Sequence, residues 1–101
     1  MYNKSVIKSF KDKLTEDVFD GLSSRESRKF PQMLHRVAHR KLDYLNVARR
    51  LEDLKVPPGN RLEALHGDLK RLHSIRINEQ WRIVFRWEDG DCYEVQIWDY
   101  H

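Results

Sequence analysis

A chain of 101 residues, 40% hydrophobic and 35% charged, has the length of one small domain and cannot hold a cofactor-binding half beside a substrate half. Its apolar runs are far shorter than the ~18–20 residues of a membrane span, and residues 1–8 carry no apolar signal core. The single cysteine, Cys92, excludes an intrachain disulfide and a cysteine-built zinc site. The expectation is a single soluble, cytoplasmic domain over residues 1–101 that makes no use of a membrane. The net charge of +3 hides a segregation: residues 25–50 hold eight Lys and Arg against two acidic residues, a balance of +6, and residues 87–101 hold five acidic residues and no Lys or Arg. Such asymmetry suits a cationic face for a polyanion beside an acidic edge, with a merely solvated helix face as the alternative.

In chain order, Val6-Ile7-Lys8-Ser9-Phe10 is a short β-rich run, expected as an edge strand. Residues 11–30 are polar and broken by Asp20-Gly21 and Ser23-Ser24, which suits a short helix or turn. Pro31 fits the first turn of a helix, after which Leu34, Val37, Ala38, Leu42 and Leu45 recur at three- and four-residue steps. A second helical piece carries Ala48, Leu51 and Leu54 and ends at Val56-Pro57-Pro58-Gly59-Asn60, so residues 31–55 read as a helical hairpin or kinked pair. Beyond that break the period becomes two. Residues 73–78 alternate through Ile75 and Ile77; residues 81–87 place Trp81, Ile83, Phe85 and Trp87 on one face and Arg82, Val84 and Arg86 on the other. Asp89-Gly90 signals a two-residue hairpin, followed by Tyr93, Val95 and Ile97. The expected architecture is α+β: a small antiparallel-rich sheet, made of an N-terminal strand plus a C-terminal three-stranded meander, packed against a helical pair.

With a two-residue loop at Asp89-Gly90, Trp87 faces Cys92, Val84 faces Val95 and Arg82 faces Ile97. Arg82 and Asp99 then share a sheet face as diagonal neighbours. One extra residue in the pairing would flip a strand and undo this. The chain ends Asp99-Tyr100-His101, three proton-handling groups that this register brings beside Arg82. Metal-free RNA cleavage needs such a set: a base for the 2′-OH, an acid for the departing 5′-oxygen, and a fixed cation for the phosphorane. Imidazole serves either proton step at neutral pH, and the guanidinium fork suits phosphate oxygens.

Three ordered stretches resemble the HigB-type toxins of the RelE/ParE superfamily, the proteic killer proteins of bacterial toxin–antitoxin modules. They are Pro57-Pro58-Gly59-Asn60-Arg61-Leu62-Glu63-Ala64-Leu65-His66-Gly67-Asp68, Ser74-Ile75-Arg76-Ile77-Asn78-Glu79-Gln80-Trp81-Arg82-Ile83, and Asp99-Tyr100-His101. The resemblance implies a RelE-like microbial ribonuclease fold and a metal-independent endoribonuclease that cleaves messenger RNA in the ribosomal A site. It implies as partners the ribosome, its messenger RNA and a cognate helix-turn-helix antitoxin, with DNA reached only through the antitoxin complex. Arg82 matches the family's phosphate-contacting arginine, and Asp99, Tyr100 and His101 match its C-terminal active-site residues. Some well-studied relatives have a histidine and a lysine where this chain has Glu63 and His66. Glu63 cannot replace a cation at phosphate; this branch uses Arg61 or His66 for that contact, or is a milder nuclease. A ParE-like poison of a protein target such as DNA gyrase is the alternative, disfavoured by the terminal Asp-Tyr-His set; an inert binding or regulatory member is a third.

Other candidates carry less. Arg76 and Arg86 lie on strands near the proposed site as RNA-backbone contacts, with surface salt bridges as the competing role. His35 and His39 have the i, i+4 spacing of metal ligands but no third ligand, and the four glycines are scattered singly, so neither a metal nor a cofactor is expected. Cys92 reads as a half-buried filler rather than a nucleophile. Of Trp81, Trp87 and Trp98, one or two are expected in the core, with base stacking open to the remainder.

Overall fold

The computed structural model describes residues 6–69 and 71–100. Helix α1 (Lys13–Asp20) starts where the Asp12 carboxylate accepts the Thr15 N–H at 2.9 Å, and stops at Gly21, whose φ of 73° an L side chain would resist. The polar stretch that left helix or turn open therefore holds a capped helix. Helix α2 (His35–Val47) follows a 3₁₀ turn at Gln32–Leu34, and Ala38, Leu42 and Leu45 of the expected stripe are buried. The helix does not continue as a second α-helical piece. Ala48 is extended, the Asp53 carboxylate accepts the Arg49 and Arg50 N–H groups at 3.0 and 3.1 Å, and Leu51–Lys55 forms a 3₁₀ helix. The helical pair is accordingly α1 with α2.

The sheet has the order β1 (Glu63–Ala64), β2 (Leu72–Arg76), β3 (Trp81–Glu88), β4 (Asp91–Asp99), every pairing antiparallel. The meander is β2–β3–β4, and the two-residue β1 is an addition to it. The N-terminal run joins the opposite edge through two parallel bridges, Ile7 to Cys92 and Phe10 to Val95. Thr15 of α1 adds its hydroxyl, which accepts the Ile97 N–H at 2.9 Å. One sheet face carries Ile75, Ile83, Phe85, Cys92, Val95 and Ile97 against Val18 of α1 and Leu42 and Leu45 of α2. That is the hydrophobic core.

The hairpin turns at Asp89-Gly90 as expected, both with positive φ, and Trp87 pairs with Cys92. The register then shifts. Arg86 pairs with Tyr93, but Val84 pairs with Gln96, Ile83 with Ile97, Arg82 with Trp98 and Trp81 with Asp99. The extra residue is a β-bulge at Glu94, whose φ is 52°. Ser9 fastens it: the Ser9 hydroxyl accepts the Glu94 N–H at 2.8 Å and the Ser9 carbonyl accepts the Val95 N–H at 3.1 Å. The expectation that Arg82 shares a face with Asp99 is overturned. Asp99 pairs with Trp81 on the core side of the sheet, while Trp98 and, beyond the strand end, Tyr100 take the face of Arg82.

Candidate active site around Arg82

Arg82 lies on the sheet face turned away from the helices and is only 7% exposed. Its Nε donates to Ser74 Oγ at 2.8 Å, and its Nη2 donates to the Arg61 carbonyl at 2.6 Å and, more weakly, to the Ser74 carbonyl at 3.4 Å. Glu63 Oε1 stands 3.3 Å from Nη2. The Tyr100 ring lies 5.5 Å from the guanidinium carbon. Burial lowers the Arg82 pKa and Glu63 and Tyr100 oppose that drop, so the group is a desolvated cation held by fixed acceptors. It is preorganised for an anion.

The Arg61 carbonyl is set by the Pro-Pro-Gly-Asn stretch. Asn60 is fully buried; its amide donates to the Leu54 and Val56 carbonyls at 3.1 and 3.3 Å and accepts from Lys41 Nζ at 2.5 Å. Burial, with Arg40 and Arg76 nearby, lowers the Lys41 pKa. Asn60 thus ties the loop to α2, and Arg61 follows in the left-handed region at φ 45°, which turns its carbonyl to Arg82.

Beside Arg82 opens a cleft of about 550 Å³ lined by Glu63, Ala64, Leu65, His66, Leu69 and Tyr100. The structure therefore brings together Arg82, Tyr100 and Glu63, with His66 on the same cleft and Arg76 opposite Arg82 across β2 and β3. Arg61 contributes its backbone to the guanidinium. Arg86 stands towards the hairpin end, 3.0 Å from Glu88 and 3.5 Å from Glu94, and 4.7 Å over the Tyr93 ring. Asp99 Oδ2 accepts from Gln80 Nε2 at 3.1 Å, and the Gln80 carbonyl accepts the Tyr100 N–H at 2.6 Å. His101 lies outside the described residues.

Neither Ser74 nor the place of Glu63 beside Arg82 is signalled by the sequence pattern. Glu63 was set aside as no cation, yet it faces Ser74 in the β1–β2 pairing. Ser74 sits fully buried in the mixed strand Leu72-His73-Ser74-Ile75-Arg76, where nothing in the sequence pattern marks its hydroxyl as a partner for Arg82. Cys92 is fully buried, and burial with Asp91 pushes its thiol up to about 12, as suits a filler. His35 Nε2 lies 2.9 Å from the Phe30 carbonyl, and the His39 ring is 6.2 Å from that of Phe19. The described residues hold no group of three His, Cys, Asp or Glu able to grip a metal.

Residues 8–101 match the model of a family described as the RelE-like toxin of the type II toxin–antitoxin system HigB. The chain belongs to the HigB-like toxins. It is 42% identical over 81 residues to Toxin HigB-1 of Vibrio cholerae, which spans 80% of this chain and 83% of that protein. An uncharacterized protein of Haemophilus influenzae is 36% identical over 69 residues, 68% of either chain. As a HigB-like toxin of a type II system, the protein has a cognate antitoxin for its partner, and among the described residues two α-helices and a four-stranded antiparallel sheet make the expected α+β arrangement. Among the described residues of this HigB-like toxin, no helix is long and apolar enough to cross a membrane.

Proposed function

We propose that this HigB-like toxin is a ribosome-dependent endonuclease of messenger RNA that acts by attack of a 2′-OH on the adjacent phosphodiester, without a metal. The observation that supports it most is the buried guanidinium of Arg82, braced from behind by Ser74 and Arg61 and bordered by Tyr100. A phosphate entering the cleft displaces Glu63 from Arg82 and takes the fork; the charge that grows on the phosphorane meets a cation that needs no reorganisation. The 2′-OH gives its proton to a base as its oxygen bonds to phosphorus. The bond from phosphorus to the 5′-oxygen then breaks, and an acid protonates that oxygen, leaving a 2′,3′-cyclic phosphate and a 5′-OH. Tyr100, His66 and His101, the residue after Tyr100 in sequence, supply base and acid. Asp99, on the other face, acts through Gln80 by fixing the backbone of Tyr100.

Arg76 and the Arg61 side chain would meet flanking phosphates, and Arg86 those nearer the hairpin. The exposed cations of the helical layer, Arg36 and Arg40 among them, stand behind the sheet and suit ribosomal RNA, an attraction that weakens steeply with salt. The partner antitoxin would carry a helix-turn-helix domain and bring the pair to DNA, and the setting would be the cytoplasm. The test uses purified ribosomes programmed with a defined message. Wild type should cut the message, and Arg82→Lys should cut it about 100-fold or more slowly, the scale for losing one oriented charge-stabilising donor. Undiminished cutting by Arg82→Lys would overturn the reading. So would an intact message accompanied in cells by DNA damage signalling.

A further inference from the structure

The nuclease reading assigns a phosphate to Arg82 but no place to the bases. The bulge at Glu94 supplies one. Without it Trp98 would pair with Trp81 over the helical layer; with it Trp98 pairs with Arg82 on the face turned away from the helices, where the Trp98 side chain is half-buried. The three tryptophans separate accordingly: Trp81 and Trp87 pack against the core, and Trp98 is not among the side chains that do. Its ring centroid lies 6.3 Å from that of Tyr100, with the ring planes 59° apart, and Tyr100 in turn lies against Arg82. Gln96, opposite Val84, is the next side chain of β4 on that face, roughly 7 Å along the strand.

We infer that Trp98 is the floor of a nucleobase subsite, a flat apolar ring that stacks the base next to the phosphate held by Arg82. This rests on the nuclease reading for the phosphate and adds the base. Stacking on an indole tolerates any base because every base has a π-face, and Arg82 and Arg76 supply the backbone charge alongside. Gln96 offers an amide to the edge of the stacked base, a donor and an acceptor that could favour one base over another. The bulge is thus the device that carries an aromatic residue from the core to the substrate side.

The test is binding of a fluorescent, uncleavable 2′-O-methyl RNA hexamer to the full chain, followed by anisotropy. Trp98→Ala should weaken binding about 5- to 150-fold, the range for losing one aromatic–base stack, and Trp98→Phe should lose far less. Hexamers with one abasic position moved along the strand should show, with wild type, one position whose loss matches that of Trp98→Ala. That abasic hexamer should lose nothing more with the variant. The abasic series on wild type and the Phe variant keep the test valid if the Ala variant unfolds. Trp98→Ala binding as wild type does, Trp98→Phe losing as much as Trp98→Ala, losses equal at every abasic position, or no hexamer binding by wild type would overturn the subsite. Loss of antitoxin binding alone in Trp98→Ala would overturn it too, and give the ring to the antitoxin. Cleavage on programmed ribosomes is scored separately. A chain that shows Trp98-dependent binding yet cuts nothing would refute the nuclease and leave the subsite standing.

Discussion

Replacing Arg82 should damage the fold as well as the chemistry, and the size of that damage follows from its bonds. The guanidinium makes two short hydrogen bonds, to Ser74 Oγ at 2.8 Å and to the Arg61 carbonyl at 2.6 Å. Bonds from a charged donor contribute about 1.5–3 kcal/mol each. Water entering the space beside the cleft would re-solvate the Arg61 carbonyl and recover part of that sum. The Glu63 contact adds little, because its carboxylate is 55% exposed and such pairs contribute about 0–1 kcal/mol. The net expectation for Arg82→Ala is a loss of about 2–4 kcal/mol. Arg82→Lys keeps the charge and reaches one acceptor but not both, so it should lose about 1–2 kcal/mol. Urea unfolding followed by circular dichroism measures this. With a slope of about 1–1.5 kcal/mol/M for a chain of this size, the Ala midpoint should fall by about 2–3 M and the Lys midpoint by about 1 M. An Arg82→Ala midpoint equal to wild type would refute the bracing of the guanidinium, and with it the preorganised site.

Glu63→Gln removes the anion beside Arg82 and should tighten binding of the uncleavable hexamer about 2- to 10-fold at low salt, an advantage that should fade at high salt; weaker binding would contradict the displacement of Glu63 by phosphate. Asn60→Ala strands the buried Lys41 ammonium and should cost about 2–4 kcal/mol in urea unfolding. Adding Lys41→Met should recover part of that loss, and strict additivity of the two changes would speak against the bond between them. Burial beside Phe85 lowers the His73 pKa from 6.5, and its buried Nδ1 has no hydrogen-bond partner among the described residues. The fold therefore prefers the neutral ring: its contribution is complete above about pH 6.5 and declines as the pH falls below that, where the unfolded chain takes the proton first. Melting temperatures from pH 7.5 to 5.5 should fall less in His73→Leu than in wild type; equal slopes would exclude His73 as the source.

The layers of the fold were legible because period and punctuation agreed. The Leu34–Leu45 stripe marked α2, the alternation through Trp81 to Trp87 marked β3, and Asp89-Gly90 marked the hairpin. Two features were not. A capped 3₁₀ helix at Leu51–Lys55 shows the same apolar spacing over one turn as an α-helix, and only the Asp53 carboxylate turning back on Arg49 and Arg50 distinguishes them. The bulge at Glu94 leaves no mark in an alternating strand, because Glu tolerates φ 52° only with Ser9, some 85 residues distant, holding its N–H. That one residue moved Asp99 off the Arg82 face and put Trp98 on it. For the candidate site, the family's motifs named Arg82 and Tyr100, and the structure sets these two side by side. The braces were not legible, since Ser74, Asn60 and the Arg61 carbonyl act through buried hydrogen bonds that need the third dimension.

The chemistry of the cut ends bears most directly on the proposed activity. Message cleaved on ribosomes by the wild-type chain should carry a 2′,3′-cyclic phosphate or its 3′-phosphate hydrolysis product on the upstream fragment and a 5′-OH on the downstream one, and 2′-deoxy substitution at the cut position should abolish cleavage. A 3′-OH beside a 5′-phosphate, or unimpaired cutting at a 2′-deoxy position, would contradict attack by the 2′-OH at the Arg82 site.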